Sequence, residues 1–314
     1  MNRSTTHLSL DVYDFWGYRI GIRSNSDEIL AHFRSVYGRF YCNGQTPVKG
    51  LEGQTRETAT CIIDAIDNIA SDQILSLSDG KEFFSLRCKS LREFDQAYYG
   101  KSSIPDPIAF ITYLFLKNKY RMIQGYQLFH AAAVSYNGRA VVLPAPEGMG
   151  KTTLTVQMVK AGFKFLSDEV ACMDPERQMV RPYPRKLNIN ASSCALLKLP
   201  EYPEQYLRRS GTYEKEWAID IEQIVPRSLS PACPLAHIIF LRGLGETPRL
   251  EPVSPSNALF RLFKYSFNPE PDPASLLFKF APMMEGVTCH NLVSAGLMET
   301  ARLVVELTDG RAAR

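Results

Sequence analysis

The stretch LPAPEGMGKTTL, residues 143–154, decides how the second half of this sequence folds. It fits the phosphate-binding pattern G-x-x-x-x-G-K-[ST] at Gly150, Lys151 and Thr152. Ala145 stands where the pattern has its first glycine. Such a loop works by pointing successive backbone N–H groups at phosphate oxygens, at the positive end of a helix.

The missing glycine is explained by the residue that follows it. Ala145 precedes Pro146, and a residue before proline is pushed toward extended geometry, so no positive φ is needed there. The chain can enter the loop extended and turn only at Gly148, where a positive φ is tolerated. The sequence therefore predicts a working phosphate-binding loop.

A β-hairpin is predicted immediately before the loop. The runs LFHAAAVSY (128–136) and RAVVLPAP (139–146) flank Asn137-Gly138, two residues that tolerate the positive φ of a tight turn. The second run leads directly into the loop. A phosphate loop must follow a strand and open a helix, and the hairpin supplies the strand.

The helix after the loop is predicted over KTTLTVQMVKAG (151–162), with Leu154, Met158 and Ala161 on one apolar face. FKFLS (163–167) reads as the next strand, and after an acidic pair, Asp168 and Glu169, a second short strand follows. Strand, loop, helix and strand form a βαβ unit, which predicts a parallel or mixed sheet covered by helices.

ATP with Mg²⁺ is the ligand that this pattern predicts. Lys151 would reach the β- and γ-phosphates from a solvent-accessible loop, and the Thr152 hydroxyl would bind Mg²⁺. The residues expected around the nucleotide are Glu147, Gly148, Met149, Gly150, Lys151, Thr152 and Thr153.

Phosphoryl transfer also needs a carboxylate on the metal and a group that accepts the hydroxyl proton. The acidic pair follows the strand one helix beyond the loop and can divide these roles; a solvated acidic turn is the alternative. His130, at the start of the paired strand, is either structural or near the phosphates. Candidate phosphate or substrate contacts, each of which also fits a solvated surface charge, are Arg181, Arg185, Lys186, Arg208 and Arg209.

These segments resemble the kinase core of HPr kinase/phosphorylase, which shares its phosphate-loop architecture with the PEP carboxykinases. The resemblance rests on FHAAAV, A-x-E-G-M-G-K-T and F-L-S-D-E-V, and covers about residues 128–180 well. It implies His130 near the phosphates, Lys151 on them and Thr152 on Mg²⁺. It also implies Asp168 as proton acceptor from the substrate hydroxyl, with Glu169, in place of the family's second aspartate, assisting the metal.

Departures from the family pattern bear on the substrate. Thr153 stands where the bifunctional enzymes carry glutamate, and the later arginine-glycine signature was not found. The chain looks more like stand-alone homologues in peptide-modifying gene clusters, some of which phosphorylate a serine on a lasso-peptide precursor. Members of the family are often oligomers, so the resemblance leaves a homo-oligomer open.

The first part of the chain carries no catalytic constellation. Strands are expected in LSLDVYDFWGYRIGIRS (8–24), a hairpin at Asp79-Gly80, and a buried helix over 107–120. We therefore expect an α+β domain for recognition or structure at residues 1–122, followed by an α/β P-loop kinase domain at residues 123–314.

Composition bounds the partners. The 314 residues have a net charge of +3 and no basic tail, which argues against a nucleic-acid partner. The longest apolar run is too short to span a bilayer and no secretory signal is evident, so a cytoplasmic protein without a membrane partner is expected. The seven cysteines show no C-x-x-C pair, which argues for reduced thiols.

Three functions fit these observations. The first is an ATP-dependent kinase that acts on a serine-type hydroxyl of a peptide or small protein. The second is a kinase for a free amino acid or sugar, and the third is a non-catalytic nucleotide switch. Asp168 counts against the switch, which needs no base, and the N-terminal domain favours a peptide, which needs an extended recognition surface.

Overall fold

The computed structural model describes residues 8–25, 27–42, 61–68, 74–78, 83–87, 123, 125–200, 202, 207–208, 216–268 and 273–310. The chain divides into two compact units, residues 1–115 with 209–213, and residues 116–208 with 214–314. The expected helix at 107–120 lies outside the described residues. The boundary at residues 122 and 123 and the domain roles stay predictions.

The first unit contains a five-stranded sheet in the order β1-β2-β3-β4-β5. Its described elements are β1 (Ser9–Phe15), β2 (Tyr18–Ser24), α1 (Asp27–Tyr37), a 3-10 turn (Gly38–Phe40), β3 (Cys61–Asn68), β4 (Ile74–Ser78) and β5 (Phe83–Arg87). β2 and β3 are parallel, and the other neighbours are antiparallel. β4 and β5 form the expected hairpin, although Asp79 and Gly80 lie outside the described residues.

Helix α1 is fixed to β1 by one buried carboxylate. Asp11 is 1% exposed and accepts hydrogen bonds from Arg34 Nε at 2.6 Å and Nη2 at 2.8 Å. A bidentate pair of this kind sets the orientation of the helix as well as its position.

The second unit contains a mixed sheet and a small antiparallel sheet. Its strands are β6 (Gln127–Tyr136), β7 (Arg139–Pro144), β8 (Lys164–Ser167), β9 (Val170–Asp174), β10 (Met179–Arg181), β11 (Leu187–Asn190), β12 (Leu207–Arg208), β13 (Glu216–Ile219), β14 (Cys233–Leu244), β15 (Arg249–Val253) and β16 (Thr288–Ser294). Its helices are α2 (Lys151–Lys160), α3 (Ala191–Leu197), α4 (Ile221–Ile224), α5 (Pro255–Phe263), α6 (Pro273–Phe280) and α7 (Leu297–Thr308), with a 3-10 turn at Pro282–Met284.

The mixed sheet has the order β10-β9-β6-β7-β14-β16-β15, with β8 also paired to β6. β7, β14 and β16 are parallel to one another, so their carboxyl ends meet at one edge. β6 is antiparallel to β7, β8 and β9, so β6 begins at that same edge and β8 runs in the direction of β7. The expected mixed sheet is confirmed. The expected βαβ unit is present, with β6 between its two strands.

Helices cover both faces of this sheet. On one face, α2 and α7 pack against alternate residues of β6 such as Ala132 and Val134. On the other, α5 and α6 pack against Ala131 and Ala133. Since successive side chains of a strand point to opposite faces, the alanine run of β6 is buried on both sides.

Helix α2 differs from the expected amphipathic helix. Leu154 and Met158 are buried as predicted, but Val156 and Val159 are buried too, and Ala161 is exposed beyond the end of the helix. The reason is that α2 contacts α3 and β11 as well as β6 and α7. The small sheet of β11, β13 and β12 was not foreseen, and it lies on the side of α2 that was expected to face solvent.

The helices in the described ranges include none with the length and hydropathy needed to cross a membrane.

Candidate active site

The phosphate loop, residues 145–152, connects β7 to α2 at the edge where the parallel strands end. Gly148 has φ 78° and Gly150 has φ 76°, and Gly150 caps the helix. An added Cβ would meet nothing within 4 Å at either glycine, so the requirement is conformational and not one of space. Ala145 is buried without a positive φ, as the proline after it predicts.

The middle of the loop faces solvent at the N-terminus of α2. Glu147, Gly148 and Gly150 are exposed, so their backbone N–H groups can meet an external anion. Met149 instead packs against the core, and its Cε lies 4.0 Å from the Cβ position of Gly243 at the end of β14. The loop thus lies beside the end of β14, where Gly243 has no side chain to block Met149.

The prediction that Lys151 lies in a solvent-accessible loop is wrong. It begins α2, is 8% exposed, and its Nζ donates hydrogen bonds to the carbonyl oxygens of Ala145 at 2.8 Å and Pro146 at 2.9 Å. Burial lowers the pKa of Lys151 to about 8, while the charges of Asp168 and Glu147 act in the opposite direction. The ammonium group thus folds back onto its own loop.

This pKa predicts proton uptake when ATP binds. Because burial lowers the pKa of Lys151 to about 8, part of the free protein should carry a neutral Lys151 near that pH. Phosphate stabilises the charged form and raises the pKa, so each ATP bound at pH 8 should take up a substantial fraction of one proton. Calorimetry in buffers of different ionisation enthalpy measures this fraction.

The control for proton uptake is Lys151→Arg, whose guanidinium is charged at every pH used. We expect the buffer dependence to disappear in this variant. A binding heat that is the same in all buffers for the wild type would contradict the contact between Lys151 and the phosphates.

The acidic pair lies between the end of β8 and the start of β9, on one strand path. Ser167 opposes Ala133 of β6 and Val170 opposes His130, so β8 and β9 continue one register on either side of the pair. The Ser167 hydroxyl accepts hydrogen bonds from the backbone N–H groups of Glu169 at 3.2 Å and Val170 at 3.0 Å. This serine, which sequence reasoning missed, stabilises the bend from which the Asp168 carboxylate reaches Thr152 of α2.

Asp168 lies beside the hydroxyl of Thr152, the residue that the sequence predicts as a metal ligand. Thr152 Oγ1 donates to Asp168 Oδ2 at 3.3 Å, and Asp168 is 3% exposed. Burial raises the pKa of Asp168, whereas Arg185, the Thr152 hydroxyl and Lys151 lower it. A carboxyl group with a raised pKa beside a phosphate loop has the properties of a proton acceptor.

Arg185, expected either as a phosphate or substrate contact or as a solvated surface charge, pairs with both acids in this structure. Its Nη2 contacts Glu169 Oε2, and its Nε lies 3.6 Å from Asp168 Oδ1. That distance is too long for a hydrogen bond, and Asp168 Oδ1 is buried without a partner. One oxygen of the buried carboxylate thus remains available to a ligand.

The residues present fit a magnesium ion. The Thr152 hydroxyl and the two carboxylates are hard oxygen donors, and Asp168 Oδ1 has no hydrogen-bond donor, with Arg185 Nε at 3.6 Å. Within the described part of the chain, no group of three or more His, Cys, Asp or Glu side chains could hold a metal by itself.

His130 lies beside the site through its backbone register. Its N–H donates to the Tyr265 carbonyl at 2.7 Å, and its ring centroid lies 5.7 Å from that of Phe267. The next residue, Ala131, pairs with Pro144 on one side, and on the other its N–H donates to the Glu169 carbonyl at 3.1 Å. His130 is therefore adjacent to both the loop and the acidic pair, and its role toward the phosphates stays a prediction.

The remaining candidate residues differ in their contacts. The Thr153 hydroxyl is hydrogen-bonded to Ser193 of α3 at 2.9 Å, so its backbone N–H is the group left for a nucleotide. Arg181 binds the buried Asp174 at 2.9 Å, which gives it a structural partner. Lys186 is half-buried near the site, while Arg209 and the side chain of Arg208 lie outside what the structure describes.

No protein-family model matches the chain. Protein RecA of Azoarcus sp. (strain BH72) is 32% identical over 125 residues, 40% of this chain and 35% of that protein. Protein RecA of Psychrobacter cryohalolentis is 36% identical over 101 residues, 32% of this chain and 28% of that protein. The chain thus spans about a third of the length of the curated relatives that it matches.

Among solved structures, the HPr(Ser) kinase/phosphatase from Coxiella burnetii is similar with a TM-score of 0.27 and 12% identity, over 59% of this chain and 99% of that one. A likeness at this TM-score does not establish a common fold. The loop has the geometry of a phosphate-binding loop: two glycines with positive φ lie between β7 and the N-terminus of α2 in a mixed α/β sheet.

Proposed function

We propose that this protein is an ATP-dependent kinase that transfers the γ-phosphate to a serine-type hydroxyl of a peptide or small protein. The observation that supports this most directly is the hydrogen bond between Thr152 and the buried Asp168. Nucleotide binding alone needs the loop and Lys151. A buried carboxylate with a raised pKa at the metal-binding hydroxyl is what transfer to an acceptor requires in addition.

Each side chain has a place in this proposal. The backbone N–H groups of Gly148 and Gly150 bind phosphate oxygens, and Lys151 leaves the Ala145 and Pro146 carbonyls to bind the β- and γ-phosphates. Asp168 Oδ1 accepts the proton of the attacking hydroxyl. Magnesium held by Thr152 and Glu169 would supply charge neutralisation on the β- and γ-phosphates.

Arg185 must change partners for this site to work. In the structure its guanidinium neutralises the carboxylates that the metal would need. When they are taken by the cation and the hydroxyl, the arginine is released within reach of the phosphates. Its planar donor set suits the charge on a transferring phosphoryl group.

The choice of a peptide acceptor rests on the sequence resemblance to HPr-kinase-like enzymes, and in particular to stand-alone homologues, some of which phosphorylate a lasso-peptide precursor. We propose a cytoplasmic location and a peptide or small protein as the partner. The protein can also form a homo-oligomer in this proposal. A free amino acid or a sugar as acceptor would leave the same site chemistry unchanged.

The test is phosphotransfer to a pool of serine-containing peptides in the presence of Mg·ATP, with phosphopeptides identified by mass spectrometry. Thr152→Val keeps the shape of the side chain but removes the hydroxyl, so we expect the apparent Mg²⁺ affinity to fall by at least about 10–100-fold. Thr152→Ser is the matched control and should retain most activity.

Two outcomes would contradict the proposed kinase. One is unchanged Mg²⁺ dependence in Thr152→Val. The other is ADP formation without a phosphorylated product from any peptide, amino acid or sugar tested, which is the behaviour of a nucleotide-dependent switch. Transfer to a free amino acid or sugar alone would keep the kinase and replace the peptide.

A further inference from the structure

A groove of about 500 Å³ runs along the outer side of α5, away from the phosphate loop's own helix. Its lining includes Ser254, Asn257, Arg261 and Lys264, which follow one another at helical spacing along one face, with Phe260 beside them. Phe260 is 60% exposed. The groove thus combines polar and basic groups with one exposed aromatic side chain.

The basic residues Arg261 and Lys264 in the groove, and Arg242 beside it, have no carboxylate partner among the described residues. The Arg261 guanidinium lies over the Phe240 ring at 3.9 Å, and burial followed by the charge of Arg242 lowers the pKa of Arg261. Among the ion pairs of the described residues, none includes Arg242, Arg261 or Lys264. Two neighbouring guanidinium groups with no carboxylate repel each other, and an external anion would relieve this repulsion.

The basic end of the groove lies at the edge of the sheet where the phosphate loop lies. Directly after Lys264, Tyr265 accepts a hydrogen bond from the backbone of His130, and Ser266 bridges to Phe129 at the start of β6. Arg242 precedes Gly243, whose Cβ position lies 4.0 Å from Met149 of the loop. A chain bound in the groove would therefore lead toward the transfer site.

We propose that this groove binds an acidic segment of the peptide substrate, next to the serine that receives the phosphate. The inference rests on the proposed kinase function. Carboxylates suit the guanidinium groups of Arg242 and Arg261 because they accept paired hydrogen bonds, and Lys264 adds a point charge. Phe260 offers a contact for one apolar side chain of the same segment. A nucleic acid fits less well, since the chain has a net charge of only +3.

The probes are two fluorescein-labelled serine peptides of equal length, one with a run of glutamates beside the serine and one with glutamines instead. Binding to the full-length protein is measured by anisotropy, and phosphotransfer by steady-state kinetics. We expect the glutamate peptide to bind more tightly, and Arg261→Gln to weaken it by roughly tenfold or more. Arg242→Gln and Lys264→Gln, at exposed positions, should weaken it without a change in folding.

Arg302→Gln is the matched control, because Arg302 is an exposed arginine of α7 on the other face of the sheet. It should bind the glutamate peptide as the wild type does. ATP affinity should be the same in all four variants, since none of them touches the phosphate loop.

The two proposals fail in different ways. Equal binding of both peptides, or glutamate-peptide binding that survives all three groove substitutions, overturns the acidic docking site even if serine phosphorylation is observed. Charge-dependent binding that is lost in these variants, without phosphorylation of any peptide, supports the groove and contradicts the kinase. A single-stranded oligonucleotide that displaces the glutamate peptide at lower concentration than unlabelled peptide would replace the proposed occupant.

Discussion

Asp168→Asn is expected to lower turnover by about 10²–10⁴-fold, the usual consequence of losing a general base. The amide has the size of the carboxylate, and its oxygen can still accept the hydrogen bond from Thr152. It cannot accept the proton of the attacking hydroxyl. Mg·ATP binding should persist because the Thr152 hydroxyl and the Glu169 carboxylate are unchanged.

The pH dependence tests the same assignment. Asp168 must be ionised to accept a proton, and burial raises its pKa. In the wild type, kcat/KM should therefore fall as pH decreases through a value above the ordinary range of an aspartate. Activity is present above this pKa and is lost below it. The residual activity of Asp168→Asn should lack this low-pH limb.

Asp174→Asn is the control for nonspecific loss. Asp174 is another buried carboxylate of the same strand path, held by Arg177 and Arg181, and has no part in the site. Its substitution should lower stability but not the specific activity of the folded protein. Glu169→Gln should instead raise the Mg²⁺ requirement, because a metal ligand has lost its charge.

Calorimetric ATP affinity and turnover at several Mg²⁺ concentrations separate the outcomes. Near wild-type transfer by Asp168→Asn would contradict the mechanism. Loss of ATP binding in this variant would show that Asp168 holds the metal and that its role and that of Glu169 are exchanged. The second result has a structural basis, because Asp168 is hydrogen-bonded to Thr152, the proposed metal ligand.

Local rules were sufficient for the parts of the fold that depend on neighbouring residues. Asn137-Gly138 adopts positive φ in the turn between β6 and β7, and Gly148 and Gly150 do so in the loop. The acidic pair separates two short strands as its sequence predicts. Each feature is fixed by backbone preferences over a few residues, so no knowledge of distant contacts was needed.

The parts that escaped prediction depend on partners far along the chain. Arg185 was expected to contact phosphate or substrate or to be a solvated surface charge, but in the structure it forms ion pairs with Asp168 and Glu169. The contact between His130 and Phe267 joins residues that no local pattern connects. α2 was expected to have a solvent face, which the small sheet covers. Such contacts follow from strand order and register, which one sequence does not specify.

Lys151→Met is expected to reduce turnover by about 10²–10³-fold, the range for losing one preorganised donor to a developing charge. Methionine preserves the length of the side chain and favours the helix, so α2 should still begin at this residue. The free energy of unfolding should change by no more than about 2 kcal/mol, because two hydrogen bonds to carbonyls are lost while a charge with a lowered pKa is no longer buried.

Lys160→Met is the matched control for this substitution. Lys160 ends the same helix, and its Nζ also donates to a carbonyl, that of Leu197 at 2.6 Å. Both variants lose a lysine that bonds to main-chain oxygen, but only Lys151 lies beside the phosphate loop. Equal turnover in the two variants, or wild-type ATP affinity and turnover in Lys151→Met, would contradict the assignment of the nucleotide site to this loop. If Lys151→Met alone loses activity while its unfolding temperature equals that of Lys160→Met, the effect is on phosphate binding, because the stability of the two variants is then matched.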